Sequence, residues 1–181
     1  VRGYEHSFPT NLMIDKELAD SVQPEPLWFK SSVGHNFGWY HAPQGPVVRE
    51  QGVVLCNTFG SEAMLLHSAY RELAIQLAQA GFPCIRFDYP GTGDSSGTPR
   101  EFSLLPAWLG SIDEAIELIK VKAGVRKVGL FGAFLGATLA TLAATMRSDV
   151  SSLSLWAPFL TGRNFIRASK LQANLLNSNP E

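Results

Sequence analysis

The residues whose spacing most clearly suggests chemistry are Gly132-Ala133-Phe134-Leu135-Gly136. An apolar, strand-like run precedes them and an Ala- and Leu-rich helical pattern follows. Glycine two residues before and after a central residue is typical of a nucleophile elbow, Gly-x-Ser-x-Gly, whose serine attacks a carbonyl carbon. Phe134 stands where that serine would be and carries no nucleophilic atom. Taken alone, the motif is explained equally well by two glycines that let a helix pack closely on a strand.

Strands and helices that alternate along the chain must position this motif. Apolar, strand-like runs occupy residues 52–59, 83–89, 127–134 and 151–159. Apolar residues at helical spacing occupy residues 63–80, 104–121, 135–146 and 163–176. This alternation predicts βαβ units and a parallel sheet with helices on both faces.

A hairpin is predicted ahead of the parallel strands. Aromatic-rich runs at residues 27–31 and 36–42 flank turn residues at 33–36, which is typical of two antiparallel strands. The predicted fold class is therefore α/β, with a doubly wound, mostly parallel sheet and an N-terminal antiparallel hairpin.

Three further segments relate the chain to a known superfamily. They are His41-Ala42-Pro43, Asn57-Thr58-Phe59-Gly60-Ser61-Glu62, and the stretch from Phe87 to Gly97, which contains the pattern D-x-x-G-x-G-x-S. With these residues, the chain resembles the α/β-hydrolase superfamily over residues 27–160. It is most similar to the serine-aminopeptidase-like branch, which includes exosortase-associated and thioesterase-like hydrolases.

The resemblance implies a site at the elbow. The backbone N–H groups of Phe59 and Leu135 would form an oxyanion hole, and Asn57, Gly60 and Ser61 would belong to the loop lining the pocket. An acyl small molecule is the ligand this implies. The alternative is that residues 57–61 are an ordinary connecting loop.

The resemblance also implies a triad in the order Ser, Asp or Glu, His, and this chain departs from it. Phe134 replaces the serine, and the last histidine is His67. Only Asp149 and Glu181 are acidic beyond Phe134. We interpret the chain as the N-terminal part of an incomplete α/β-hydrolase fold. The expected divisions are an arm at residues 1–24, the core at 25–160, and a helix at 161–181 leading to a missing cap and C-terminal region.

Other nucleophiles are less well placed. Ser61 and the serines at 95 and 96 lie in loops rather than at a strand-to-helix turn, and Ser61 is expected to cap the following helix. Cys56 and Cys84 lie inside apolar runs. They are expected to be buried free thiols in a reducing compartment, which suggests a cytoplasmic protein.

Composition excludes several function classes. The 181 residues are 45% hydrophobic and 17% charged, with a formal net charge of −1, as in a globular domain without a nucleic-acid surface. The four histidines are scattered, so we expect no metal site and no cofactor. The apolar runs are too short to predict a membrane span.

We therefore expect a catalytically silent α/β-hydrolase homologue that acts as a subunit or binding module. A second hydrolase-type chain or an identical chain would cover the strand at 151–159, and the Phe134 ring would fill the former acyl pocket or contact that partner. The alternative is one part of a split acyl-ester or thioester hydrolase or acyltransferase whose Asp and His come from a partner chain. A third possibility is a small-molecule binding module without catalysis.

Overall fold

The computed structural model describes residues 23–98, 100 and 103–177. The predicted arm at 1–24 lies outside this range except for its last two positions. The elements, in chain order, are β1 (Glu25–Ser31), β2 (Gly34–His41), β3 (Gln51–Cys56), α1 (Ser61–Gln79), β4 (Cys84–Phe87), α2 (Leu104–Ala123), β5 (Lys127–Ala133), α3 (Leu135–Thr145), β6 (Val150–Trp156) and α4 (Gly162–Asn177).

The strands form one mixed sheet in the order β1-β2-β4-β3-β5-β6. β1 pairs antiparallel with β2, and β2 pairs antiparallel with β4. The remaining neighbours are parallel. The predicted fold class is confirmed, and the carboxyl ends of the four parallel strands lie along one edge of the sheet.

Helices cover both faces of the sheet because the strand residues alternate in direction. In β3, Val54 belongs to the larger core cluster, formed with α2 and α3 through residues such as Ile112 and Leu139. Its neighbour Leu55 belongs to the second cluster, formed with α1 through Tyr70. Successive side chains on a strand point to opposite faces, so the two clusters place α1 opposite α2 and α3.

The hairpin turn is shorter than predicted. The sequence predicts a turn at 33–36, whereas β2 already begins at Gly34 and pairs His35 with Lys30. The reason lies in the Gly-rich loop after β4. The backbone N–H of His35 donates to Ser96 Oγ at 3.1 Å, and that of Phe37 donates to Ser95 Oγ at 2.9 Å. These bonds hold the start of β2 extended.

Three strands are shorter at their carboxyl ends than predicted. β3 ends at Cys56, β4 at Phe87 and β6 at Trp156, each two or three residues earlier than predicted. After β6, Ala157 adopts a φ of 49°, which a strand cannot contain. The residues beyond these ends form the loops of the candidate site.

The expected cap of α1 is wrong. Ser61 is the first helical residue, and Gly60 occupies the cap position with φ 72° and ψ −143° and without a side-chain hydrogen bond. Backbone of this kind strongly favours glycine. Glycine therefore shapes the entry to α1.

Candidate functional site

A strained turn joins β5 to α3. Phe134 lies between the two elements with φ 52° and ψ −117°, and its N–H donates to the Trp156 carbonyl at 2.8 Å. A bulky residue at positive φ is rare and costs about 1–3 kcal/mol. The surrounding structure holds Phe134 in a conformation that its own backbone disfavours.

Two glycines make this turn possible. A Cβ atom on Gly132 would lie 2.4 Å from the backbone carbon of Gly136. A Cβ atom on Gly136 would lie 2.2 Å from the carbonyl oxygen of Cys56 and 2.5 Å from that of Asn57. Both contacts involve backbone, which cannot swing aside. The start of α3 is therefore pressed directly against the end of β3 and the loop after it.

The Phe134 ring lies on the α1 side of the sheet edge. It is half-buried against the cluster that contains Tyr70. It also stacks on Trp156, with ring centroids 6.5 Å apart and planes 23° apart, and Trp156 is 59% exposed. The ring thus covers part of the turn without being enclosed.

Tyr70 on α1 stabilises the turn through two hydrogen bonds, and the sequence did not predict this role. Its hydroxyl donates to the Cys56 carbonyl at 3.0 Å and accepts from the Ala133 N–H at 3.0 Å. Burial raises the pKa of this phenol, so the hydroxyl keeps its proton. The available signal was a tyrosine on the sheet-facing side of a helix, because a buried phenol needs a polar partner.

The loop after β3 brings its predicted residues next to the turn. The side-chain oxygen of Asn57 accepts from the Thr58 N–H at 2.9 Å, and the Phe59 ring packs on Trp108 at 5.2 Å. Among the described residues, the N–H groups of Phe59 and Leu135 have no hydrogen-bond acceptor. Two unpaired donors therefore lie on adjacent segments at the sheet edge.

An apolar cavity of about 340 Å³ lies next to the turn, and side chains of the loop after β3 and of α3 contribute to its wall. Its walls come from the loops at 59 and 159–161 and from α2, α3 and α4. The lining residues are Phe59, Leu104, Leu105, Trp108, Leu135, Thr138, Leu139, Leu142, Phe159, Thr161, Gly162 and Phe165. The Phe134 ring is not among them. The ring therefore does not fill this cavity.

A second, polar groove lies between the loop after β3 and the Gly-rich loop after β4. Asn57, Gly60, His67, Asp88 and Asp94 line it. Burial raises the pKa of the Asp88 carboxyl, and the Asp94 N–H donates to it at 3.3 Å. A Cβ on the intervening glycine at 93 would fall 2.1 Å from this carboxyl. Asp88 thus organises the loop.

A buried imidazole lies further along the sheet. Burial lowers the pKa of His41 to about 4, and the nearby charges of Arg86 and Arg71 lower it as well. Arg86 Nε donates to His41 Nε2 at 3.3 Å. His41 is therefore a neutral acceptor near pH 7.

Asp149, the first acidic residue after the turn in the sequence, forms ion pairs away from the turn. Asp149 precedes β6 at the amino end of the strands, away from the turn. It accepts hydrogen bonds from Arg147 and Lys120, each at 2.7 Å. The bond from Arg147, aided by Lys120, holds the Asp149 pKa below its usual range. Glu181, the other acid, lies outside the described residues.

The remaining reactive groups are inert or dispersed. Cys56 and Cys84 are free and fully buried, and burial raises the pKa of the Cys56 thiol to about 12. In the described ranges, no group of three or more His, Cys, Asp or Glu residues could hold a metal ion. No helix there is long and apolar enough to cross a membrane.

Comparison with known proteins places these features in a family. Residues 50–179 match the family described as serine aminopeptidase, S33. Human Protein ABHD12B is 31% identical over 133 residues, covering 70% of this chain and 34% of that protein. Bovine lysophosphatidylserine lipase ABHD12 is 29% identical over 115 residues, covering 64% and 27%. The chain spans about a third of the length of these relatives.

A solved structure supports the same assignment at the level of fold. The esterase Pf2001 from Pyrococcus furiosus superposes with a TM-score of 0.68 at 12% identity, covering 100% of this chain and 65% of that chain. The family match extends from β3 through the whole of α4 and includes the strained turn. The chain therefore belongs to the serine aminopeptidase S33 family of α/β-hydrolases.

Proposed function

We propose that this chain is a non-catalytic α/β-hydrolase homologue that acts as a binding module or subunit. The observation that carries the proposal is Phe134, a side chain without a nucleophilic atom, in the strained backbone conformation of the turn after β5. Backbone strain of this kind clusters at functional sites. Here it holds a phenyl ring where an elbow would hold serine.

The binding role rests on the donors beside the turn. The unpaired N–H groups of Phe59 and Leu135 act as an oxyanion-type pair. Gly132 and Gly136 are the elbow glycines, and they allow the start of α3 to lie close to the loop after β3. Such preorganised donors stabilise a carbonyl or carboxylate oxygen. Asn57, Gly60 and Ser61 form the adjacent pocket loop. Binding through these donors requires no nucleophile.

The subunit role rests on the edge strand β6. Leu153, Leu155 and Trp156 are 38%, 41% and 59% exposed, and β6 is the last strand of the sheet. An exposed apolar edge favours association with another strand. The proposed partner is a second hydrolase-type chain that pairs with β6. The buried free thiols support a reducing, cytoplasmic location.

A split acyl-ester or thioester hydrolase is the weaker alternative. A partner chain could supply an acid and a base, but Phe134 would still leave the turn without an attacking atom. None of the observations on the described residues favours it over the silent module.

Hydrolysis of p-nitrophenyl butyrate by the purified chain tests the proposal. We expect no turnover above the uncatalysed background, and no change in the Ser61→Ala variant. Turnover by the unmodified chain that disappears in Ser61→Ala would overturn the proposal, because it would place a working nucleophile outside the elbow. Size-exclusion chromatography with light scattering tests the subunit role. A strictly monomeric chain that gains no partner when mixed with a hydrolase-type chain would contradict it.

A further inference from the structure

The last helix, α4, carries an unpaired row of basic side chains on its outer face. Arg163, Arg167 and Lys170 follow one another at helical spacing, and all of them are exposed. We propose that this row, called the basic stripe below, binds the surface of a phospholipid membrane that contains anionic lipids. The inference goes beyond the proposed function, since it concerns neither the turn after β5 nor the edge of β6.

Contacts on the inner side of α4 determine which face points outward. The Phe165 ring packs on Phe159 at a centroid distance of 5.5 Å and lines the apolar cavity, so this side of the helix faces the protein. Successive helical residues are rotated by about 100° around the axis. The three basic residues therefore lie roughly 140–160° around the helix from Phe165. The basic stripe is on the face that points away from the cavity.

No acidic side chain neutralises the basic stripe. Residues 150–177 contain no Asp or Glu, and none of the ion pairs within the described ranges involves α4. The whole chain has a formal net charge of −1, so α4 is locally basic in a chain that is slightly acidic. Each Lys or Arg close to an anionic membrane strengthens binding about fivefold.

Exposed apolar side chains border the basic stripe on both sides. Ile166 and Leu171 are 54% and 61% exposed. Residues four apart are neighbours on a helix surface, so Ile166 lies beside Lys170 and Leu171 lies beside Arg167. Apolar groups next to cations are typical of helices that lie on a membrane, where the cations meet phosphates and the apolar groups enter the acyl boundary.

This mixture of side chains favours a membrane over a nucleic acid. Nucleic-acid surfaces are typically broad basic patches on strongly basic domains, whereas the net charge of this chain is −1. Phosphates of a duplex would also leave Ile166 and Leu171 in water. A membrane surface contacts the basic stripe and the apolar side chains beside it together.

Flotation of the purified chain with lipid vesicles tests the proposal. Vesicles of phosphatidylcholine alone are compared with vesicles that also contain phosphatidylglycerol, each at about 50 mM and about 500 mM NaCl. We expect binding to the anionic vesicles at low salt, roughly tenfold weaker binding at high salt, and none to pure phosphatidylcholine. Equal binding to the two kinds of vesicle, no binding to either, or equally tight binding to a DNA duplex would overturn the proposal.

Two double variants with the same change in charge locate the surface. Arg163→Gln combined with Arg167→Gln should weaken binding to anionic vesicles roughly thirtyfold at low salt. Arg126→Gln combined with Lys127→Gln changes two exposed residues at the start of β5, at the amino end of the parallel strands. This control should alter binding less than about twofold. Equal effects would contradict the assignment to α4.

The apolar contribution separates a membrane from a polyanion. Ile166→Ser should weaken vesicle binding roughly tenfold, because it removes a side chain that enters the lipid. Val121→Ser makes the same change at a residue of α2 that is 83% exposed and should leave binding unchanged. Thermal unfolding followed by circular dichroism checks that both variants fold. If the folded Ile166→Ser variant binds vesicles as tightly as the unmodified chain, charge alone drives binding and the membrane proposal is wrong.

Discussion

Replacing Tyr70 with phenylalanine tests whether one hydroxyl holds the turn and the loop after β3 together. The hydroxyl bridges the Cys56 carbonyl and the Ala133 N–H, at 3.0 Å each. Tyr70 is 6% exposed and Ala133 is fully buried, so water cannot replace the hydroxyl. The variant keeps the ring and its packing on Phe131, at a centroid distance of 5.5 Å. It removes the hydrogen bonds alone.

The expected loss can be estimated from these contacts. A buried N–H left without an acceptor costs about 1–3 kcal/mol, and a lost hydrogen bond to the Cys56 carbonyl about 1 kcal/mol. Tyr70→Phe should therefore lower the free energy of unfolding by about 2–4 kcal/mol. For a domain of this size that corresponds to a fall in Tm of roughly 5–15 °C.

Tyr89→Phe is the matched control. The Tyr89 hydroxyl is buried beside the Cys56 thiol and has no nitrogen or oxygen partner among the described residues. A thiol is a weak hydrogen-bonding group, so removing this hydroxyl should be neutral or stabilise by up to about 1 kcal/mol. Urea denaturation measures both variants. A loss below about 0.5 kcal/mol for Tyr70→Phe, or equal losses for the two variants, would refute the bridging role.

Three further predictions concern stability, each measured by urea denaturation. Gly136→Ala should destabilise the chain by more than about 2 kcal/mol because the added Cβ would collide with backbone atoms. The control Gly110→Ala adds a Cβ in open space on α2 and should stabilise the chain by about 0.5–1 kcal/mol. A Gly136→Ala variant as stable as the unmodified chain would contradict the prediction. The pKa of His41 is about 4 when folded and about 6.5 when unfolded, so its contribution is complete above pH 6.5 and about 2 kcal/mol should be lost as the pH falls to 4. His41→Gln should remove that slope, and an unchanged slope would disprove the assignment. Ala157→Gly should stabilise the chain by up to about 1 kcal/mol because it relieves the strain of a φ of 49°. A clear loss of stability would contradict this and show that packing of the Ala157 methyl group outweighs the strain.

The fold was predictable because its main signals are local. Buried parallel strands appear as continuous apolar runs, and helices as apolar residues at helical spacing. Strand ends were less predictable because apolar residues continue into the loops. Phe59 and Phe159 follow β3 and β6 in the sequence but line the cavity. Their hydrophobicity could not distinguish a strand from a cavity wall.

Features that depend on distant contacts could not be predicted. The start of β2 is set by Ser95 and Ser96, about 60 residues away along the chain. The role of Tyr70 depends on the ends of β3 and β5 lying side by side, each within hydrogen-bond distance of its hydroxyl. By contrast, the need for glycine at 132 and 136 follows from a tight local turn, so a five-residue pattern could suggest it.

Intact-mass spectrometry after treatment with a fluorophosphonate probe tests the central claim most directly, because the probe forms a stable adduct with an activated serine. The absence of a nucleophile at Phe134 predicts an unchanged mass after prolonged exposure of the folded chain. Stoichiometric gain of one phosphonyl group, lost on denaturation before treatment, would contradict the account and show that the chain contains an activated nucleophile.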